Sequence, residues 1–116
     1  MIYMIFEVTP KEGRMPEYLD LAARLRDDLL KCPGFVRAER FTSMSEGGKL
    51  LSLSVWESDT ALSEWRNRVE HRLSQLTGRD SLFEGFSITV ASGIRSYTGT
   101  ERIEAPEDSN RYHGIS

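Results

Sequence analysis

The chain opens on IYMIFEV, where Ile2, Met4, Phe6 and Val8 fall on one face and Tyr3 and Ile5 on the other. That alternation predicts a strand over residues 2–8 with apolar cover on both sides. TPKEGRMPEY then reads as a turn, with Pro16 near a helix start, where its missing N–H removes no helical bond. Tyr18, Ala22, Leu25 and Leu29 follow at helical spacing, and Glu17, Asp20, Arg24, Asp27 and Asp28 take the outer positions. The helix must end near Pro33-Gly34, because proline disfavours helical geometry in the residue before it.

FVRAERFTSM alternates again, placing Phe35, Arg37, Glu39 and Phe41 on one side of a strand. Ser45-Glu46-Gly47-Gly48 makes a turn and KLLSLSVW returns, which together predict a β-hairpin. Ser58 or Asp59 caps a second helix, since a short oxygen-bearing side chain accepts from the free N–H groups of the first turn. Its apolar stripe is Leu62, Trp65, Val69, Leu73 and Leu76, and Thr77-Gly78 ends it. FEGFSITVASGIRSY closes the pattern as a long strand with Phe86, Ile88, Val90 and Ile94 at even spacing.

The order β-α-β-β-α-β predicts an α+β, ferredoxin-like fold: an antiparallel four-stranded sheet with both helices on one face. The other sheet face is then uncovered, yet the first strand has large apolar side chains on both sides. Water covers such a face poorly, so a partner is expected, and two sheets packed face to face would form a homodimer. Residues 98–116 form a polar, proline-containing tail, expected to pack on the domain or on its partner through Ile103, Tyr112 or Ile115.

Size and charge narrow the function. A length of 116 residues suits one compact domain, here residues 1–97 followed by the tail. Hydrophobic residues make up 39% and charged residues 28%, as in globular proteins, and the net charge of -3 without a lysine cluster argues against nucleic acid. The first strand is too short to cross a bilayer and lacks the basic segment of a signal peptide, so no membrane partner and a cytoplasmic location are expected. The single cysteine, Cys32, excludes an intrachain disulfide and an all-cysteine metal site. His113 has no cluster of ligands near it, and no metal site is expected.

The residues with chemical potential concentrate in EWRNRVEHR, residues 64–72. Trp65 lies on the apolar stripe, where it is either core or the wall of a cavity. His71 lies about 120° from Trp65 on an unbroken helix, so the two share a cavity only if the helix is interrupted between Asn67 and His71. Arg66, Arg68, Arg72 and Arg79 interleave with Glu64, Glu70 and Asp80, the pattern of a solvated charged face, and Glu64 and Arg68 stand at ion-pair spacing.

CPGF before the hairpin, LLSLSVWES at its end, ALSEWRNRVEHRLSQLTGR and FEGFSITVASGIRSY occur in an order that resembles the antibiotic biosynthesis monooxygenase family. The resemblance covers roughly residues 1–97 and is greatest to a bacterial branch labelled haem-degrading-monooxygenase-related. It implies a ferredoxin-like protomer in a dimeric α/β barrel. It also implies one of two chemistries: cofactor-independent oxidation of electron-rich aromatics, or haem binding and degradation. Under the first, Trp65 supplies an aromatic wall, His71 or Arg95 a donor to an anionic oxygen, and Tyr3, Phe6 and Phe86 the remaining lining, with no cofactor or metal. Under the second, His71 is the axial ligand, but the first-strand asparagine of the haem degraders has no counterpart in IYMIFEV. A dimeric module that binds a small apolar ligand without turnover is the third reading.

Overall fold

The computed structural model describes residues 1–75 and 82–114. Its elements are β1 (Ile2–Pro10), α1 (Met15–Leu29), β2 (Phe35–Thr42), β3 (Leu50–Trp56), α2 (Asp59–Ser74), β4 (Phe83–Ser92) and α3 (Glu107–Tyr112). The four strands form one antiparallel sheet in the order β2-β3-β1-β4. This is the expected ferredoxin-like arrangement with a short third helix added. Leu76, Thr77-Gly78, Arg79, Asp80 and Ile115, named above, lie outside the described residues.

Register sorts the side chains between the two sheet faces. Met4, Phe6 and Val8 on β1 stand beside Ser54, Ser52 and Leu50 on β3 and beside Val90, Ile88 and Phe86 on β4. Strand alternation sends all of these to the helix side. There Met4 and Trp56 pack with Leu29 of α1 and with Leu62, Trp65 and Val69 of α2. A second cluster joins Phe6, Val8 and Leu50 to Tyr18, Leu82 and Phe83. Tyr3, Ile5, Leu51, Leu53 and Phe41 share the opposite face, which no helix among the described residues covers.

Local chemistry fixes the element ends. Ser58 caps α2, its Oγ accepting from Ala61 N–H at 3.1 Å, and Pro16 sits in the first turn of α1. Gly34 has a φ of 82°, and its carbonyl accepts from Glu57 N–H at 2.8 Å, so β2 starts beside the end of β3. A Cβ at this position would stand 2.6 Å from Ala61 Cβ, so glycine is required twice over.

Two expectations are corrected. A bulge between Phe35 and Arg37 adds a residue, so Phe35 packs edge-on against Trp56 on the helix side while Arg37, Glu39 and Phe41 face the other way. β4 stops at Ser92, where its partner β1 begins at Ile2, and Ile94 beyond it is 88% exposed. Ile103 and Tyr112 do not anchor the tail within the chain, being 96% and 92% exposed. A polar hub holds that segment instead: Arg102 donates to Asn110 Oδ1 at 2.8 Å, Ser109 Oγ at 2.7 Å and the Thr98 carbonyl at 2.9 Å, and lies over the Tyr97 ring.

Candidate functional site

A cavity of about 500 Å³ lies between α1, α2 and the helix side of the sheet. Met4 and Phe6 from β1, Leu21, Leu25 and Leu29 from α1, and Trp65 and Val69 from α2 make its apolar walls. The helical residues arrive there through their three- and four-residue spacing, which brings them to one face. This volume falls within the roughly 300–1,000 Å³ typical of small-molecule sites.

Polar groups enter from three elements. Ser52 and Ser54 line the cavity from β3, Tyr18 and Arg26 from α1, and Arg40 from β2. Ser54 is buried and its Oγ accepts from the indole N–H of Trp56 at 2.9 Å, which ties the cavity floor to the core. Tyr18 is buried too, and burial raises its phenol pKa above the usual tyrosine value, while the positive charge of Arg40 pulls it back. Its hydroxyl has no hydrogen-bond partner among the described residues. Arg26 and Arg40 are exposed at the cavity edge, and neither forms an ion pair among the described residues.

The expected site residues divide. Trp65 is 6% exposed and Phe6 buried, and both line the cavity, so Trp65 serves as core and wall together. His71 does not join them: α2 is continuous from Asp59 to Ser74, and the imidazole is exposed, 3.4 Å from Gln75 Nε2. An unbroken helix cannot turn both side chains into one narrow space. Tyr3 points to the open sheet face, where its ring closes on Gly93. Phe86 is half exposed and does not line the cavity, its ring tilted against Phe6 and edge-on to Phe83, and Arg95 is exposed beyond the end of β4. The ion pair on α2 joins Arg66 to Glu70 at 2.7 Å, two residues along from Glu64 and Arg68, which have the same spacing.

Tyr18, Arg26, Arg40, Ser52 and Ser54 were not singled out from sequence as site residues. One signal was present: in LLSLSVW, two serines occupy alternate positions on the face that also carries Leu50 and Trp56. Hydroxyls on the core side of a strand need a partner or a polar space.

No helix among the described residues is long and apolar enough to cross a membrane, and no group of three or more potential ligands there is placed to hold a metal ion. A one-sided antiparallel sheet with two helices over it and a cavity between the layers defines a ferredoxin-like domain. The chain belongs to the antibiotic biosynthesis monooxygenase family, whose model matches residues 1–75. It is 34% identical over 106 residues to "Jasmonate monooxygenase ABM" of Pyricularia oryzae, covering 90% of this chain and 49% of that protein. The chain thus spans about half the length of this curated relative. Among solved structures it resembles SnoaB of Streptomyces nogalater, described as a cofactor-independent oxygenase, with a TM-score of 0.66, 14% identity and coverage of 82% and 94% of the two chains. It also resembles MhuD of Mycobacterium tuberculosis, a heme-degrader solved with two hemes in its active site, with a TM-score of 0.63, 17% identity and coverage of 84% and 100%.

Proposed function

We propose that the chain is a monooxygenase that oxidises an electron-rich aromatic small molecule in the cavity between helices and sheet, without cofactor. The observation that carries this is the cavity itself: about 500 Å³, apolar on its walls, with Trp65 and Phe6 as flat surfaces and the Tyr18 hydroxyl among its lining. Oxidation of a phenol to a quinone releases all the electrons dioxygen needs; one oxygen atom enters the ring and the other leaves as water. The protein's part is to hold the ring flat, exclude bulk water and stabilise the oxyanion that reacts. Trp65 and Phe6 do the first, the α1 leucines the second, and Tyr18 or Ser52 the third. The 34% identity to a Pyricularia monooxygenase supports the reaction class.

The donor set does not fit a haem held through imidazole. Among the described residues no histidine or cysteine lines the cavity, and His71 faces solvent.

The open sheet face supports a homodimer. Ile5, Leu51 and Leu53 are half-buried there with no helix above them among the described residues, and a second copy packed through the same face would cover both. The tail then packs against the partner, which supplies the apolar cover that Ile103 and Tyr112 lack within one chain.

Oxygen uptake tests the activity. The protein incubated with a polycyclic phenol under labelled dioxygen should consume oxygen and place one labelled atom in the quinone. Trp65→Leu should slow this while leaving the protein folded. Binding of the phenol with no oxygen consumed would refute turnover and leave a small-ligand-binding module.

A further inference from the structure

Beside the hydroxyls of Tyr18, Ser52 and Ser54, the polar lining of the cavity includes two cations at its edge. Arg26 comes from the last turn of α1 and Arg40 from the middle of β2, so chain segments fourteen residues apart converge on one space. Neither has an anionic partner among the described residues, whereas Arg14 and Arg66 are each engaged by a nearby glutamate. Glu39 is the one acidic residue in the lining, and its pairing with Leu53 puts its side chain on the opposite sheet face, while Arg40, opposite Ser52, projects to the helix side. The cavity edge is therefore net positive in a chain whose net charge is -3.

From this we infer that the ligand is an amphipathic monoanion, an aromatic body bearing a carboxylate, bound body-inward with its carboxylate at Arg26 and Arg40. The inference rests on the cavity being the substrate site and adds the ligand's charge and direction. Both guanidiniums are exposed, so the carboxylate keeps part of its hydration and is not forced into a dry interior, the arrangement that costs least. A guanidinium suits this task because its planar fork matches the two carboxylate oxygens. The body, which has no charge to satisfy, takes the space beside Trp65, Phe6 and Val69. Reaction then occurs on the buried end, away from the acid group. Positive charge at the mouth also draws anions toward it, an effect that salt weakens.

Isothermal titration with 2-naphthoate and its neutral isostere 2-naphthamide separates the possibilities. Naphthoate should bind about tenfold more tightly than naphthamide at low salt, a difference of about 1.4 kcal/mol. High salt should shrink that ratio. The double variant Arg26→Gln/Arg40→Gln should bring it close to one while leaving naphthamide binding unchanged. Arg37→Gln, on the opposite sheet face, should keep the full ratio. Equal binding of the two probes to the parent protein would overturn the anion assignment while the cavity reading stands. An unchanged ratio in the double variant would also overturn it. Failure of both probes to bind would overturn the cavity reading and this inference together.

Discussion

Ser54→Ala isolates one hydrogen bond that links the core to the cavity. Trp56 is 0% exposed, and its indole N–H donates to Ser54 Oγ at 2.9 Å. In the unfolded chain that N–H is hydrated; in the folded variant it faces a methyl group. An orphaned buried donor costs about 1–3 kcal/mol. Ser54 also lines the cavity, so the space its hydroxyl vacates adjoins a volume able to admit water, and a water there would recover part of the loss. The expected cost is thus the lower part of that range, about 1–2 kcal/mol. For a domain of this size that corresponds to a fall of about 4–8 °C in Tm. Ser52→Ala is the control: it sits two residues away on the same face, lines the same cavity, and its hydroxyl has no hydrogen-bond partner among the described residues. It should stay within about 0.5 kcal/mol of the parent. Urea unfolding at one fixed protomer concentration measures both, because association would otherwise shift the midpoint. Equal stability of the two variants would show that the Trp56–Ser54 bond contributes nothing.

Gly34→Ala should lose about 1–2 kcal/mol to its left-handed backbone and about 1–3 kcal/mol more to the close approach of Ala61. Gly48→Ala has a φ of 81° but nothing within 4 Å, so it should lose only the first, and equal losses in denaturant titrations would refute the steric part. Burial raises the Tyr18 pKa above the unfolded value of about 10, with Arg40 opposing. Its contribution to stability is therefore fully present below that pH and lost as pH rises through the folded pKa. The alkaline absorbance difference between parent and Tyr18→Phe should show a midpoint above 10, moved higher by Arg40→Gln; a midpoint at or below 10 would contradict this. His71→Ala should leave probe affinity and Tm unchanged, and a loss of binding in calorimetry would return the imidazole to the site.

The element order was legible because both periods are clean where one face is buried. Ile2, Met4, Phe6 and Val8 alternate because β1 is a central strand, and Tyr18, Leu25 and Leu29 recur because α1 lies on the sheet. Pro33-Gly34 and the capping Ser58 marked boundaries through backbone chemistry that needs no tertiary context. What failed depended on neighbours. A bulge at Phe35 changes the face of every later residue in β2, yet it leaves alternation on either side intact. The end of β4 is set by where β1 begins, a fact about pairing and not about GIRSY. Within one chain Arg102 and its polar partners order the tail while Ile103 and Tyr112 stay exposed, so what those two side chains pack on also depends on neighbours.

The site was less legible for a different reason. EWRNRVEHR draws the eye because it places an aromatic, a histidine and several charges close together in sequence. On a helix, closeness in sequence scatters side chains around the axis, and only Trp65 and Val69, four apart, reach the cavity. The polar chemistry there comes instead from Tyr18, Arg26, Arg40, Ser52 and Ser54, each unremarked among its own neighbours. Arg40 gains its meaning only because the bulge at Phe35 turns it toward the helices, and the same bulge sends Glu39 away. Without that extra residue the two would exchange faces, and Glu39 at the edge would offset the charge of Arg26. The charge a ligand meets here therefore rests on an irregularity of backbone pairing that residue alternation alone cannot express.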